Sequence, residues 1–343
     1  MRPVIDGHND VLSRLHEDGA DDAALLREGT ASITVPSARA GGLAAALFAV
    51  LPPPGPFEEV RTADGYEVPP FPAVAWEASA RSVGSLAARL FRALRACDGR
   101  LRLVRDTADL DACLAGEALG AVLHMEGAEA IDTDLEALEV WHAAGLRSLG
   151  LVWSRPNAFG EGVPFRFPAS PDTGAGLTPA GLALVRRCAE LGIAVDLSHL
   201  NAAGFRDVAR TLDGPLIASH SGVHALCAKT RNLTDDQLDA IAASGGLAGI
   251  NFDVSSLRAD GADDADTPAS RIAEHARYVA DRCGVDHVAL GSDFDGATVP
   301  TEASDASAYP RVLAALEAAG FDDGELDRIA WGNWRRVLAA AWG

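Results

Sequence analysis

Basic residues are few in this chain: 29 Lys and Arg stand against 49 Asp and Glu, for a formal net charge of −20. That balance argues against nucleic acid and anionic membranes as partners, since both are gripped by clustered Lys and Arg. The acidity reads as a well-solvated surface rather than an acidic binding patch. Cysteine is also sparse. Cys97, Cys113, Cys188, Cys227 and Cys283 are scattered, odd in number and form no Cys-x-x-Cys pair, which excludes the disulfide framework of a small secreted domain. They read as reduced, mostly buried thiols of a cytosolic protein. No apolar run reaches the roughly eighteen residues of a membrane span. Nor does a basic segment followed by an apolar one come before the strand-like residues that start at Pro3, so the expectation is a soluble, cytoplasmic protein.

What is present is ordinary globular material, with 48% hydrophobic and 23% charged residues over 343 positions, enough for one large α/β barrel or two smaller domains. Short apolar runs, each stopped by a polar or glycine-containing turn, occur at residues 3–6, 44–50, 120–125, 146–152, 193–197, 215–219, 247–251 and 287–291. Stretches of helical period lie between most of them, at 75–96, 134–144, 178–191, 202–211, 235–244 and 269–283. Thr178-Pro179 puts proline at a first helical position, and Thr234-Asp235-Asp236 makes a first turn acidic. Eight near-continuous apolar strands alternating with helices predict a parallel sheet covered by helices. The count predicts a (β/α)8 TIM barrel, with residues 1–343 as a single domain. The alternative, a doubly wound open sheet, lacks the Gly-x-Gly-x-x-Gly turn that would support it after the first strand. Two long segments rich in proline and glycine, 51–72 and 154–176, follow strands two and four; in a barrel they would overhang the C-terminal face as lids.

The strand ends carry the chemistry. His8 and Asp10 are two apart at the end of the first run, so in extended backbone both point to one side, about 6–7 Å apart. Alone, such a pair is an ordinary strand-end turn. Strand three, however, ends in Met125-Glu126-Gly127, strand five in Asp196-Leu197-Ser198-His199, strand six in Ser219-His220-Ser221 and strand eight in Ser292-Asp293-Phe294-Asp295-Gly296. A TIM barrel gathers such ends at one mouth. Three histidines with two or three carboxylates suffice for two divalent ions that share a carboxylate and keep open positions for water.

Together, Ile5-Asp6-Gly7-His8-Asn9-Asp10, Glu126-Gly127, Asp196-Leu197-Ser198-His199, Ser219-His220-Ser221, Arg231-Asn232 and Gly291-Ser292-Asp293-Phe294-Asp295-Gly296 resemble the membrane (renal) dipeptidase family, peptidase family M19. These are binuclear zinc peptidases among the amidohydrolase-like barrels. The resemblance runs from Pro3 to the Gly332-Asn333-Trp334-Arg335-Arg336-Val337 segment. It implies two zinc ions per chain, one held by His8 and Asp10, the other by His199 and His220, with Glu126 bridging them. It also implies that a hydroxide between the ions attacks the amide of a dipeptide, with L- or D-residues at its C-terminal position. Arg231 would hold the terminal carboxylate, a task suited to a planar guanidinium. Asp293 would pass the proton from the nucleophile to the leaving amine; Asp295 reads instead as a turn residue before Gly296. Other divalent transition metals also suit a His/carboxylate site. Family members often form homodimers, though no segment here marks an interface.

One position departs from the family. Its well-studied members carry a His just after strand four that contacts the scissile carbonyl oxygen, and the equivalent residue here is Trp153, in Leu151-Val152-Trp153-Ser154-Arg155-Pro156-Asn157. An indole offers one N–H donor and no charge, and losing an oxyanion donor can cost about 10²–10³ in turnover. Either a zinc ion, the Trp153 N–H or Arg155 replaces that contact, or Trp153 is a pocket wall and the substrate differs from a plain L,L-dipeptide. Two other readings therefore stand beside the dipeptidase: a binuclear amidohydrolase acting on N-acyl or D-amino acid derivatives, and a binding protein that has kept the barrel. The full ligand set argues against the last. His124 reads as a core residue or one supporting the ligands, His224 as a surface or supporting residue, and His16, His142, His275 and His287 carry no role.

Overall fold

The computed structural model describes residues 1–52, 55 and 57–343. Eight strands form its centre: β1 (Val4–Asn9), β2 (Leu43–Val50), β3 (Leu119–Glu126), β4 (Leu146–Gly150), β5 (Ala194–Asp196), β6 (Ile217–Ser221), β7 (Leu247–Ile250) and β8 (Val288–Leu290). Each pairs in parallel with the next, from β1–β2 round to β7–β8, and β8 pairs with β1. The sheet is closed, as expected of a (β/α)8 barrel. Every residue of β1, β2 and β3 is buried, because one face meets the barrel interior and the other meets helices. That double burial is why these strands read as unbroken apolar runs rather than alternating ones.

Each expected strand is found, with shifted ends. β1 runs on through His8 to Asn9 and β6 through His220 to Ser221, so two histidines expected in turns lie inside strands, each in a break of register between paired residues. The helices Trp76–Ala96, Glu136–Ala144, Pro179–Leu191, Ala202–Thr211, Asp235–Ala243 and Ser270–Cys283 match the six helical stretches within two residues at each end. At the third of these the Thr178 hydroxyl accepts from the Gly181 amide, as the Thr-Pro signal predicts. Short helices at Val11–Glu17, Val35–Gly41 and Thr107–Leu114 were not anticipated; each is too short for a clear period.

The described parts of the two long loops do lie beyond the strand C-termini, with residues 53, 54 and 56 of the first outside the described residues, but they are not separate flaps. Val60–Arg61 pairs with Tyr66–Glu67, which pairs in turn with Arg166–Phe167, making a small antiparallel sheet that joins the loop after β2 to the loop after β4. At the opposite mouth the C-terminal helix Asn333–Trp342 closes the barrel. Trp334 is fully buried there, packs in one cluster with Ile5, Ala45, Val122, Ile217 and Leu247, and donates its indole N–H to the Leu290 carbonyl at 2.9 Å. A Cβ added at Gly7 would stand 2.5 Å from the Trp334 ring and 2.3 Å from the Ser219 carbonyl oxygen, so β1 needs glycine to pass. No helix among the described residues is long and apolar enough to cross a membrane.

Trp334→Ala removes this plug and the indole donor to the Leu290 carbonyl. The substitution should cost about 3–5 kcal/mol of stability, measured as a lowered urea midpoint, while metal bound at the far mouth stays at wild-type stoichiometry.

Candidate active site

The strand ends converge as the barrel requires. His8 comes from β1, Glu126 from β3, His220 from β6, and His199, Asp10 and Asp293 from the residues just beyond β5, β1 and β8. Glu126 is the hub. Its Oε1 lies 3.1 Å from His199 Nε2, 3.6 Å from His220 Nε2 and 3.6 Å from His8 Nε2. His8 Nε2 is in turn 3.6 Å from Asp10 Oδ2 and 4.0 Å from Asp293 Oδ1. Asp293 is seated by backbone, because its N–H donates to the His8 carbonyl while the Asp10 N–H donates to the Phe294 carbonyl. His199 and Asp293 both hold left-handed backbone, at φ 66° and 62°, which is rare for such residues and typical of functional sites. Gly296 is the small residue that makes room: a Cβ there would stand 2.1 Å from Asp10 Oδ2 and 2.5 Å from Asp293 Oδ1.

The imidazoles are held by a layer of hydroxyls. Asp196 accepts the Ser219 hydroxyl proton at 2.6 Å, so the same oxygen must accept from His220 Nδ1, 2.8 Å away. His220 therefore carries its proton on Nδ1 and turns a bare Nε2 inward. Ser154 Oγ meets His199 Nδ1 at 2.8 Å. The two inward nitrogens, His199 Nε2 and His220 Nε2, are 3.2 Å apart. Burial, then the neighbouring cations His8 and Arg231, drive both rings well below the usual imidazole range, so both present lone pairs. Burial opposes charge on His8, yet Glu126, Asp10 and Asp293 together raise it to about 10. Burial, then Asp10, raises Glu126 and Asp293 against the opposing pull of His8.

Facing lone pairs and crowded carboxylates repel unless a cation lies among them. The buried His8 ring nitrogens and Asp10 Oδ1 have no hydrogen-bond partner among the described residues. Neutral imidazole and carboxylate are donors that suit divalent transition metals. His8, Glu126 and His220 bring possible ligand atoms within 4.8 Å of one another, as do His8, Asp10 and Asp293, and His199 Nε2 stands 3.1 Å from Glu126 Oε1, so these residues could hold such ions.

Two cavities flank this cluster and share Trp153 and Gly296. The larger, about 410 Å³, is lined by Phe165, Lys229, Arg231, Asn251 and Asp293 among others. The smaller, about 230 Å³, is lined by Asp10, Glu126, Leu51 and His16 among others. Arg231 is only 7% exposed. It donates to the His220 carbonyl at 3.0 Å and to Ser221 Oγ at 3.3 Å. No carboxylate among the described residues lies within ion-pairing distance of it, so it is no surface salt bridge. Trp153 packs against Phe71 and Phe165, its ring 5.7 Å from that of His199. Asp295 turns away from the cluster and accepts from the amide and hydroxyl of Ser32, the structural role read for it. His124 sits beneath the site with Nδ1 against Ser148 Oγ, and His224 Nε2 meets the Ala169 carbonyl.

A sequence model of the membrane dipeptidases, peptidase family M19, matches residues 1–342. The chain belongs to this family. A solved M19 metallopeptidase, dipeptidase AC, is 44% identical, with 99% of each chain covered and a TM-score of 0.93. A metallopeptidase from Rhodobacter sphaeroides, solved with a phosphinate mimic of the dipeptide L-Ala-D-Ala, is 42% identical with the same coverage and TM-score. An uncharacterized protein from the pqqA 5′ region of Klebsiella pneumoniae is 48% identical over 244 residues, which are 71% of this chain and 90% of that one. The M19 protein described here is thus a metal-dependent dipeptidase on a TIM barrel. The sequence motifs contain Asp196 and Ser219, and Ser154 follows Trp153, but motif spacing assigns no role to these three, which orient the imidazoles. The available signal was position for two of them, since Asp196 stands three residues before His199 and Ser219 one before His220; Ser154, 45 residues from His199, gave none.

Glu126→Ala removes the hub contact of three histidines, so metal content and dipeptide hydrolysis should fall together. Ser219→Ala should keep the fold but weaken metal binding by about 10–100-fold, read by competition with a chromophoric chelator.

Proposed function

We propose that this dipeptidase works with two zinc ions, held by His8 and Asp10 on one side and by His199 and His220 on the other, with Glu126 shared. We propose further that it accepts dipeptides with a D-residue at the C-terminal position as well as L,L-dipeptides. The observation that carries this reading is Arg231: a buried guanidinium without a carboxylate partner, in the wall of a cavity that opens onto the ligand cluster. A dipeptide's terminal carboxylate supplies the missing anion in bidentate geometry. The complex of the Rhodobacter sphaeroides relative with an L-Ala-D-Ala mimic supports the D-residue.

When bound, the zinc ions would supply Lewis acidity at the scissile amide and lower the pKa of water there. The chain's own residues do the rest. Arg231 anchors one end of the substrate and so fixes which amide bond faces the cluster. Asp293, raised by burial and by Asp10, takes a proton on its carboxylate and returns it to the leaving amine. Trp153, 9% exposed, walls off both cavities and leaves one indole N–H as a donor. The aromatic wall of Trp153, Phe71 and Phe165 would also suit an acyl chain, which supports N-acyl amino acids as the second reading. A cytoplasmic location goes with the same proposal, supported by five cysteines that remain unpaired thiols.

Hydrolysis by zinc-reconstituted protein across a library of L,L- and L,D-dipeptides, beside their N-acylated forms, tests this directly. Turnover of free-amine dipeptides is expected; turnover of N-acyl compounds alone would favour the second reading. Asp293→Asn should keep two metals and lose about 10²–10⁴ in kcat, whereas Arg231→Met should act mainly by raising KM.

A further inference from the structure

Asn251 directly follows β7 and lies 3% exposed in the wall of the larger cavity, although no motif marks it. Its side chain joins two backbone-held groups. The Asp253 amide donates to Asn251 Oδ1 at 2.6 Å, and Asn251 Nδ2 donates to Asp293 Oδ2 at 3.1 Å. The orientation of this amide is forced, because a backbone N–H can only donate and so meets the oxygen, leaving the NH₂ to face Asp293. Asp253 is itself locked. Its carboxylate takes Lys229 Nζ at 2.7 Å and the hydroxyls of Ser255 and Ser256, and Lys229 is the only lysine in the chain. Burial works against both charges, but the pair holds Lys229 above and Asp253 below their ordinary values.

Asn251 is the one side chain among the described residues that donates a hydrogen bond to the Asp293 carboxylate. The bond engages Oδ2. It leaves Oδ1 on the side of His8, Asp10 and Gly296, where the metal-binding cluster lies. An aspartate side chain turns about two bonds, Cα–Cβ and Cβ–Cγ, and this contact restrains both in Asp293. We propose that Asn251 is a positioning residue for hydrolysis: it holds Asp293 with Oδ1 toward the reacting atoms, and the Lys229–Asp253 pair keeps Asn251 in that orientation. This rests on the reading of Asp293 as the proton carrier.

The test measures kcat, KM, bound zinc and thermal midpoint for Asn251→Ala and Asn251→Asp in the zinc-loaded protein, with Asp293→Asn alongside. Asn251→Asp keeps an acceptor for the Asp253 amide but sets a carboxylate against Asp293 in place of the donor, whereas Asn251→Ala removes the donor without adding charge. For both variants kcat should fall about 10–100-fold, less than for Asp293→Asn, with KM within about threefold and two zinc ions retained. Wild-type kcat, a change confined to KM, or loss of zinc would overturn the positioning role. Failure of both variants to fold would also overturn it, marking Asn251 as structural. If Asp293→Asn kept wild-type turnover, the reading of Asp293 itself would fail, whatever Asn251 did.

Discussion

Asp10, Glu126 and Asp293 crowd around one imidazole inside a closed barrel, with two more imidazoles turning bare nitrogens toward the same point. Such a group cannot be stable on protein contacts alone, since each buried ion costs several kcal/mol unless its charge is matched. Arg231 supplies one positive charge, but it is committed to neutral acceptors at the cavity wall. Without metal, a proton on His8 and raised carboxyls make up the difference; a bound cation would do so while leaving His8 free to ligate. Folding, metal affinity and catalysis are therefore tied to one electrostatic balance. The hydroxyls that set the histidine tautomers belong to that balance as much as the ligands do.

The barrel makes this balance achievable. Parallel pairing brings eight strand ends to one mouth, and residues distant in sequence meet there without any long-range loop having to be ordered first. His8 and His220 lie inside breaks in strand register, between the paired residues Asp6 and Asn9 and between Ala218 and Ser221, so the strands hold them from both sides and the hydroxyl layer fixes the His220 ring. Metal-facing atoms thus have little freedom left to lose when an ion binds, which is the meaning of preorganisation at such a site.

Much of this was legible beforehand, for identifiable reasons. Doubly buried parallel strands begin as apolar runs, so all eight can be read, and the polar residues where each run stops expose His8, Glu126, His199, His220 and Asp293. What stayed hidden acts through one other residue. Asp196 acts by taking the proton of Ser219, Asn251 by facing Asp293, and Lys229 by pairing with Asp253 across 24 positions. No local period or spacing encodes such pairings; they exist only once β5, β6, β7 and β8 are side by side. The short pairing at Tyr66 and Phe167 was hidden likewise, since two-residue strands leave no alternation to read.

That pairing makes the two loops over the mouth a single inherited unit. Tyr66 sits opposite Phe167, and Glu67 opposite Arg166, where the side chains form an ion pair at 3.2 Å. A residue gained or lost in one loop would slip this register and turn its side chains to the wrong face. Changes of length in the two loops must then be co-inherited. New substrate preferences in this barrel would evolve by exchanging both loops together, and a chimera carrying only one would have a roof that no longer meets its wall.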